Sequence, residues 1–372
     1  MTKIRVGVIG CGPIAQMMHL PHLTAMGDRF EVAAVCDLNG PLARRVAERF
    51  HVPEWTTDYR TLLTQPVDAF LVLTSGSHAG ICLDLLHAGK RVFVEKPLCY
   101  TPQEGERLIA ARRYPDQIMV GYMKRHDPGY LKALALARAV GGGLRAADVL
   151  VLHPEEALYQ EHHHLVEISA PAPDPGALAR QRSAAREAVG EADDLVLDAY
   201  IGVLLGSMVH DVNAVRHLVG EIETVRSCHI GADGRSVFAA WTFTGGAVGR
   251  TGWFFLPELR HYVERIDLYA DAERIGLHFP SPYLRNFPTA VTHERMEGGA
   301  WSESRFEVGY QEAFEEELFA FHRMLADGRA PDTSLEDALA DVRVLAAMAR
   351  SAASGRPEAP LAAGPPRPGD AL

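Results

Sequence analysis

Alternating apolar and helical segments over the first 123 residues constrain the fold more than any other feature of this sequence. Nearly continuous apolar runs, such as VDAFLVLT at 67–74, are typical of parallel strands buried on both faces. Strands that alternate with helices imply right-handed crossovers, so this part predicts a doubly wound parallel sheet. The strand-like runs are residues 3–9, 30–37, 67–74, 91–95 and 117–123.

The pattern changes after residue 123, which predicts a second domain of a different class. Further strand-like runs occur at 147–153, 223–230, 236–244, 247–255 and 262–270, with helical periodicity at 207–219, 311–327 and 335–352. We therefore expect a dinucleotide-binding domain over residues 1–123 and an α+β domain with an open, mostly antiparallel sheet over 124–353. Residues 154–200 resemble an insertion, and 354–372 are expected to form a disordered tail.

Composition and charge exclude several classes of protein. The net charge is −11 and there is no basic run, which argues against nucleic-acid and membrane partners. The five cysteines are scattered without metal-ligand spacing, as expected in a reducing compartment. We find no signal peptide and no apolar run that approaches the ~20 residues of a membrane span, so we expect a cytoplasmic protein.

A glycine-rich turn follows the first strand. VIGCGPIA contains the pattern Gly10-x-Gly12-x-x-Ala15 between a strand and a helix. The first glycine permits a tight turn, the second lets backbone approach a pyrophosphate, and the small third residue lets helix and strand pack closely. The turn also suits another doubly wound fold, but its flanking elements favour a dinucleotide site. The expected cofactor contacts here are Gly10, Gly12, Pro13, Ile14 and Ala15.

An acidic residue ends the second strand, where Asp37 follows Gly12 by 25 positions. A carboxylate there accepts hydrogen bonds from both ribose hydroxyls and repels a 2′-phosphate. The sequence therefore predicts NAD as cofactor in preference to NADP.

The fourth apolar strand ends abruptly in the charged tripeptide Glu95-Lys96-Pro97. Ligands of such sheets bind beyond the carboxyl ends of the strands. A lysine shielded from water there has a lowered pKa and can exchange a proton with a substrate hydroxyl. Glu95 can hold the lysine or contact the cofactor, whereas the alternative for Lys96 is a solvated strand end.

The stretch VDAFLVLTSGSHAGICLDLLHAGKRVFVEKPLCYTPQEG resembles the glucose-fructose oxidoreductase, inositol dehydrogenase and MocA (Gfo/Idh/MocA) family. The resemblance continues in VGYMKRHDPGY, HDVNAVRHLVG and the region 310–339. It implies a Rossmann domain that binds NAD or NADP, hydride transfer at carbinol carbons of sugars and cyclitols, and a homodimer or homotetramer.

The resemblance also implies that Lys96 is catalytic and that His210 is an acid/base residue. The family aspartate four positions before that histidine corresponds to Gly206, and a family glycine corresponds to Met208. Without the aspartate, His210 lacks a neighbour that orients it and raises its pKa. Glu95, Asp211 or Asn213 could replace it, whereas a histidine among apolar helix residues also suits a packed core.

Several polar residues are further candidates. Thr74, Ser75 and His78 follow the third strand, where they either contact the nicotinamide half of the cofactor or form a polar loop. The expected substrate contacts are Lys124, Arg125, Asp211 and Asn213, although Lys124 also suits an exposed charge. The adjacent His162, His163 and His164 point in different directions, so we predict no metal site and a pocket-lining role instead.

These observations predict an NAD-dependent oxidoreductase of a secondary alcohol or ketone in a sugar, amino sugar, polyol or cyclitol. Lys96 and His210 would handle the hydroxyl proton. Two alternatives remain open at this point: a cofactor-binding sensor or assembly protein without redox turnover, and a lyase or glycoside hydrolase that recycles NAD within each turnover.

Overall fold

A six-stranded parallel sheet forms the amino-terminal domain of the computed structural model, which describes residues 3–140, 143–169 and 175–361. Its strand order is β3-β2-β1-β4-β5-β6, as expected for a doubly wound fold. The strands are β1 (Ile4–Ile9), β2 (Phe30–Cys36), β3 (Glu54–Thr56), β4 (Ala69–Val72), β5 (Arg91–Glu95) and β6 (Ile118–Gly121). The helices are α1 (Leu20–Ala25), α2 (Gly40–Phe50), α3 (Ala79–His87) and α4 (Pro102–Ala111).

An eight-stranded sheet of order β14-β13-β12-β11-β7-β10-β9-β8 forms the second domain. Among the described strands of this sheet, only β7 and β10 pair in parallel, so the predicted fold class is confirmed for both domains. The strands are β7 (Leu144–His153), β8 (Ile222–Ile230), β9 (Ser236–Phe243), β10 (Val248–Phe255), β11 (Val263–Ala270), β12 (Glu273–Phe279), β13 (Ala290–Glu297) and β14 (Ala300–Glu307). The helices are α5 (Pro128–Ala139), α6 (Ala157–Gln160), α7 (Pro175–Val189), α8 (Asp194–Ala199), α9 (Val209–Val219), α10 (Ala313–Asp327) and α11 (Leu335–Ser354).

Local sequence signals set the helix ends. Thr101 and Glu104 form a capping box at the start of α4, in which each side chain bonds the other residue's backbone N–H. At α11 the cap is Ser334, whose hydroxyl accepts from the Asp337 N–H. The Thr333 hydroxyl donates to the carbonyl of Val120, so it joins the helix start to β6.

The two carboxyl-terminal helices return to the amino-terminal domain. Leu318, Phe321 and Met324 of α10 are buried in the same apolar cluster as Val6 and Val35 of the parallel sheet. Helix α11 packs against both α4 and β8. The packing of these two helices therefore joins both domains.

One helical segment, Asp194–Val219, comprises α8, a π-helical stretch Tyr200–Met208 and α9. It is long and apolar enough to cross a membrane by length and composition, which the sequence interpretation did not anticipate. Of its most apolar 18-residue window, 61% is buried inside the protein, as in a core helix. A second π-helical turn, Ala15–His19, follows the glycine-rich turn, and such distortions are frequent at functional sites.

The chain is ordered beyond the predicted start of the tail at residue 354. Ser354 ends α11, and the backbone of Glu358 pairs with Val225 of β8 in both directions. Two more side-chain contacts, from Arg350 and Ser354 to the Glu358 carboxylate, hold this turn. The predicted disorder is therefore wrong for residues 354–361, and the remainder of the tail lies outside the described residues.

Candidate active site

The glycine-rich turn lies between β1 and the π-helical turn. Gly10 has φ +101°, and a Cβ there would lie 2.7 Å from the Leu73 carbonyl carbon and oxygen, so only glycine fits. A Cβ on Gly12 would meet no atom within 4 Å, which leaves open space above the turn. Ala15 is fully buried against the strand. These features fit the approach of a pyrophosphate to Gly12.

Asp37 follows β2 and lies beside the turn. Its two carboxylate oxygens accept from the backbone N–H groups of Cys11 and Asn39, each at 2.8 Å. Each oxygen retains a second lone pair, so the half-buried carboxylate can still accept from ribose hydroxyls. Asp37 thus closes the turn and provides the acceptor expected from the sequence.

The connection after β7 crosses the first domain, and we name residues 163–169 the crossing segment. Gln16 donates to the Val166 carbonyl at 3.2 Å and accepts from its N–H at 2.8 Å. The Asn39 amide lies 3.4 Å from the Ser169 carbonyl, and Arg49 donates to the carbonyl of His164 at 2.6 Å. The crossing segment therefore covers the helices beside the glycine-rich turn.

The loop after β4 contains Thr74, Ser75 and His78. Thr74 is half-buried and Ser75 is exposed, whereas His78 is buried. The two ring nitrogens of His78 lie 2.7 and 2.6 Å from the carbonyl oxygens of Pro97 and Thr74. Because both nitrogens are occupied, His78 joins the loops after β4 and β5, which differs from the predicted cofactor contact.

Lys96 lies at the carboxyl end of β5, and its Nζ donates to the Gly206 carbonyl at 2.8 Å. Burial lowers the pKa of Lys96, although the carboxylates of Glu95 and Glu156 oppose this. Glu95 points toward the parallel sheet, where it accepts from the Lys96 N–H at 3.1 Å and lies 2.8 Å from His19. Burial alone would raise the pKa of Glu95, but the hydrogen bond and charge of His19 lower it.

His210 lies one helical turn beyond Gly206 and lines the same cavity as Lys96. Burial lowers its pKa well below 6.5, and the positive charges of Lys96 and Lys124 lower it further. Its Nδ1 is buried and has no hydrogen-bond partner within the described residues. None of the predicted substitutes for the aspartate (Glu95, Asp211 and Asn213) therefore bonds to Nδ1 in the structure.

A buried ionic group adjoins these residues. The Lys124 ammonium contacts the Glu264 carboxylate and lies 3.7 Å from Asp211. Burial lowers the pKa of Lys124 to about 8 and raises that of Asp211. Tyr262 donates to Glu264 at 2.7 Å. The sequence interpretation found Lys124 and Asp211 but missed Tyr262 and Glu264, although Glu264 shares a strand face with apolar Ile266, which was a usable signal.

Two predicted substrate contacts lie elsewhere. Arg125 donates to Asp337 at 2.9 Å and to Asn213 at 3.3 Å, and Asn213 donates to Asp341 at 2.8 Å. Neither Arg125 nor Asn213 is among the described residues that line the cavity. Both belong to a buried ionic network that holds α9 against α11, so the structure does not bring these two residues to the cavity.

The three adjacent histidines form no common site. The ring of His163 lies 2.8 Å from the carbonyl oxygen of Tyr283 and stacks near His162, whereas His164 is at a left-handed turn. None of the three is among the described residues lining the cavity, so the predicted pocket-lining role is wrong. Over residues 3–140, 143–169 and 175–361, no group of three His, Cys, Asp or Glu side chains could hold a metal ion.

A cavity of about 650 Å³ brings the remaining candidates together. It opens between the carboxyl end of β5, the π-helical stretch Tyr200–Met208 and the inner face of the second sheet. Its inner end carries two amines, one imidazole and two carboxylates, with an indole and phenol around them. These residues are Lys96, Lys124, His210, Asp211, Glu264, Trp253 and Tyr262.

Comparison with known proteins agrees with this geometry. Residues 4–122 match the GFO_IDH_MocA profile, described as the oxidoreductase family with an NAD-binding Rossmann fold. The inositol 2-dehydrogenase/D-chiro-inositol 3-dehydrogenase of Shouchella clausii is 39% identical over 134 residues, or 35% of this chain and 38% of that protein. The inositol 2-dehydrogenase of Gluconacetobacter diazotrophicus is 34% identical over 160 residues, or 40% and 44%. These matches span about two fifths of each relative's length.

Solved structures match over nearly the whole chain. An oxidoreductase domain protein from Kribbella flavida is 20% identical with TM-score 0.76, covering 97% of this chain and 100% of that one. A 3-ketoreductase from Actinomadura kijaniata, solved with NADP and TDP-benzene, is 24% identical with TM-score 0.71, covering 94% and 98%. At these identities the likeness establishes the two-domain fold.

Proposed function

We propose that the chain is a nicotinamide-dependent oxidoreductase, because residues 4–122 match the model of the oxidoreductase family with an NAD-binding Rossmann fold. Its substrate is a secondary alcohol or ketone of a polyol, cyclitol or sugar. The observation that carries this proposal is that Lys96 and His210 line one cavity at the carboxyl end of β5, the edge of the parallel sheet at which the glycine-rich turn follows β1. The names of the similar inositol dehydrogenases support the substrate class.

In the proposed reaction the substrate exchanges a hydride with the dinucleotide and a proton with side chains of the protein. A dinucleotide at the glycine-rich turn supplies the hydride acceptor or donor. In the oxidation direction, neutral His210 accepts the proton of the substrate hydroxyl, while the Lys96 ammonium donates a hydrogen bond to the same oxygen. The low pKa of His210 keeps the imidazole unprotonated and ready for this role. In reduction, the proton returns to the carbonyl oxygen from these residues.

A cofactor and substrate panel tests the proposal. Purified protein is mixed with NAD⁺ or NADP⁺ and a set of inositols, hexoses and polyols, and the absorbance of the reduced nicotinamide is followed. We expect net reduction with at least one cyclic polyol. Product release without net reduction would favour the recycling lyase or hydrolase, and inert substrates with a tightly bound cofactor would favour the sensor.

Asp37 supports NAD as the cofactor. We expect Asp37→Asn to raise the NADP-to-NAD ratio of kcat/KM by about tenfold or more, because the charge that repels a 2′-phosphate is removed. The amide oxygen can still accept one of the two backbone bonds of the turn. Exposed Asp271→Asn, far along the chain in an Arg145 ion pair, serves as the matched control. An unchanged ratio would assign the preference to other residues.

Gly206 is the observation that favours a second candidate, a cofactor-binding protein without redox turnover. A Cβ on Gly206 would meet only the Ile201 carbonyl oxygen, at 3.5 Å, so an aspartate fits there. If the chain is an oxidoreductase, we expect Gly206→Asp to change kcat less than tenfold and to raise the pKa of the acid limb, because a carboxylate near His210 favours its charged form. Activity that appears only in the variant would support the second candidate.

The proposed assembly is a homodimer or homotetramer through the open face of the second sheet. Phe238, Val248, Met296 and Trp301 expose apolar side chains on the strands of this sheet. Light scattering on the purified chain should give a mass above that of one chain of 40.7 kDa. Cytoplasmic location stays a prediction from composition.

A further inference from the structure

The cavity beside Lys96 extends farther than one sugar ring requires. Along one wall the helical segment presents Ala199, Gly202 and Gly206 to the cavity. A Cβ on Gly202 would meet no atom within 4 Å, so the cavity is open along this face. The distance from Ala199 to Gly206 along the helix is about 10 Å at ~1.5 Å per residue. A single six-membered ring measures roughly 6 Å between opposite oxygens, given bonds of about 1.5 Å.

The charge of the cavity is negative. Its titratable lining comprises six carboxylates but only two lysines and one arginine, so its net charge is −3 with both histidines counted as neutral. The carboxylates are Glu155, Glu156, Asp198, Asp211, Asp233 and Glu264, and the cations are Lys96, Lys124 and Arg235. Such a lining repels phosphates and carboxylates and attracts cations.

Nearby cations compensate only part of this negative charge within the described residues. At the inner end, Lys124 contacts Glu264 and lies 3.7 Å from Asp211. Arg182, which is not part of the lining, donates to Asp198 at 2.6 and 2.8 Å. At the outer end, Arg235 lies over the Phe255 ring at 4.7 Å. Glu155 is exposed and has no ion pair in the part of the chain that the structure describes.

We propose that the substrate is a sugar or cyclitol that carries a second ring or long substituent with an amine or guanidine group. This inference rests on the proposed function. The reacting ring lies at Lys96 and His210, the remainder of the molecule lies along Gly202, and its cationic group meets the outer carboxylates Glu155 and Asp233. The same lining disfavours sugar acids and sugars linked to a nucleoside diphosphate, because their charges repel it.

Binding and turnover of matched probes test this substrate class. The probes are myo-inositol, an inositol with one hydroxyl replaced by an amine, maltose, the two-ring aminoglycoside paromamine, and uridine diphosphate glucose. Calorimetry with cofactor-loaded protein measures Kd independently of turnover. We expect paromamine to bind at least tenfold more tightly than maltose and uridine diphosphate glucose to bind weakest. Equal Kd values for the charged and neutral probes would overturn the inference.

Three variants connect the preference to this cavity. Glu155→Gln and Asp233→Asn should each weaken paromamine binding about fivefold and leave myo-inositol unchanged, whereas Asp271→Asn outside the cavity should change neither. Gly202→Leu should remove paromamine binding and keep the single-ring probes. Turnover of neutral polyols without tighter binding of the amine probes would overturn this inference and leave the proposed function intact. Selective amine binding without net turnover of any probe would retain it and overturn the proposed function.

Discussion

Lys96→Met lowers kcat by about 10²–10⁴-fold in the expected result, the range for loss of a positioned acid or base. The variant keeps the length of the side chain but removes the amine that donates to the Gly206 carbonyl and faces the cavity. Because burial already disfavours the charge on Lys96, an apolar replacement costs little folding stability. Steady-state kinetics with the best polyol of the panel measures the loss.

A matched variant separates this effect from a general loss of charge. Lys132 is half-buried on α5, and its ammonium lies over the Phe306 ring at 4.4 Å. Lys132→Met should leave kcat within about twofold, and Lys96→Met should still bind the dinucleotide with similar affinity by fluorescence titration. Full activity of Lys96→Met would end its assignment as a proton-handling residue.

His210→Gln should lower kcat/KM for oxidation by about 10²-fold, because glutamine cannot accept the hydroxyl proton. In the natural protein the pKa of His210 lies well below 6.5. We therefore expect the rate of oxidation to fall only when the pH approaches this lowered pKa. Protonation then removes the acceptor, and the loss grows toward lower pH. The variant should show a flat profile over the same range.

An exposed histidine provides the control for this experiment. His229 lies on β8 with an exposed side chain, so His229→Gln should reproduce both the rate and the pH profile of the natural protein. If His210→Gln still loses activity toward low pH, the titrating group is not His210. If its kcat/KM is unchanged, His210 is a packing residue without a role in proton transfer.

The amino-terminal domain was predictable because its central strands are long apolar runs buried on both faces. The short strand Glu54–Thr56 was missed since two of its three residues are exposed at the sheet edge. Strands β12, β13 and β14 were also missed. In WSESRF of β14 the apolar Trp301 shares a face with the charged Glu303 and Arg305, so the alternation is weaker than that of the central strands.

The site was predictable where a residue's position along its strand or helix determined its direction. Lys96 directly follows the last residue of β5, and His210 lies one turn from Gly206. Lys124 and Arg125 are adjacent in a helical turn, so they point to different surroundings, and only Lys124 lines the cavity. Asp211 and Asn213 are about 200° apart around α9, which separates them in the same way. The sequence does not show which face of each helical segment packs against the core. It therefore could not decide which residue of each pair lines the cavity.

The crossing segment has a consequence for the dynamics of the two domains. Its six hydrogen bonds to Gln16, Asn39 and Arg49 tie the chain of the second domain to the helices beside the glycine-rich turn. Hinge opening as two rigid bodies would have to break them together, at about 1 kcal/mol each. We therefore expect the residence time of the dinucleotide to depend on local peeling of this segment, so that cofactor exchange is slow while substrate and product still enter and leave through the other end of the cleft.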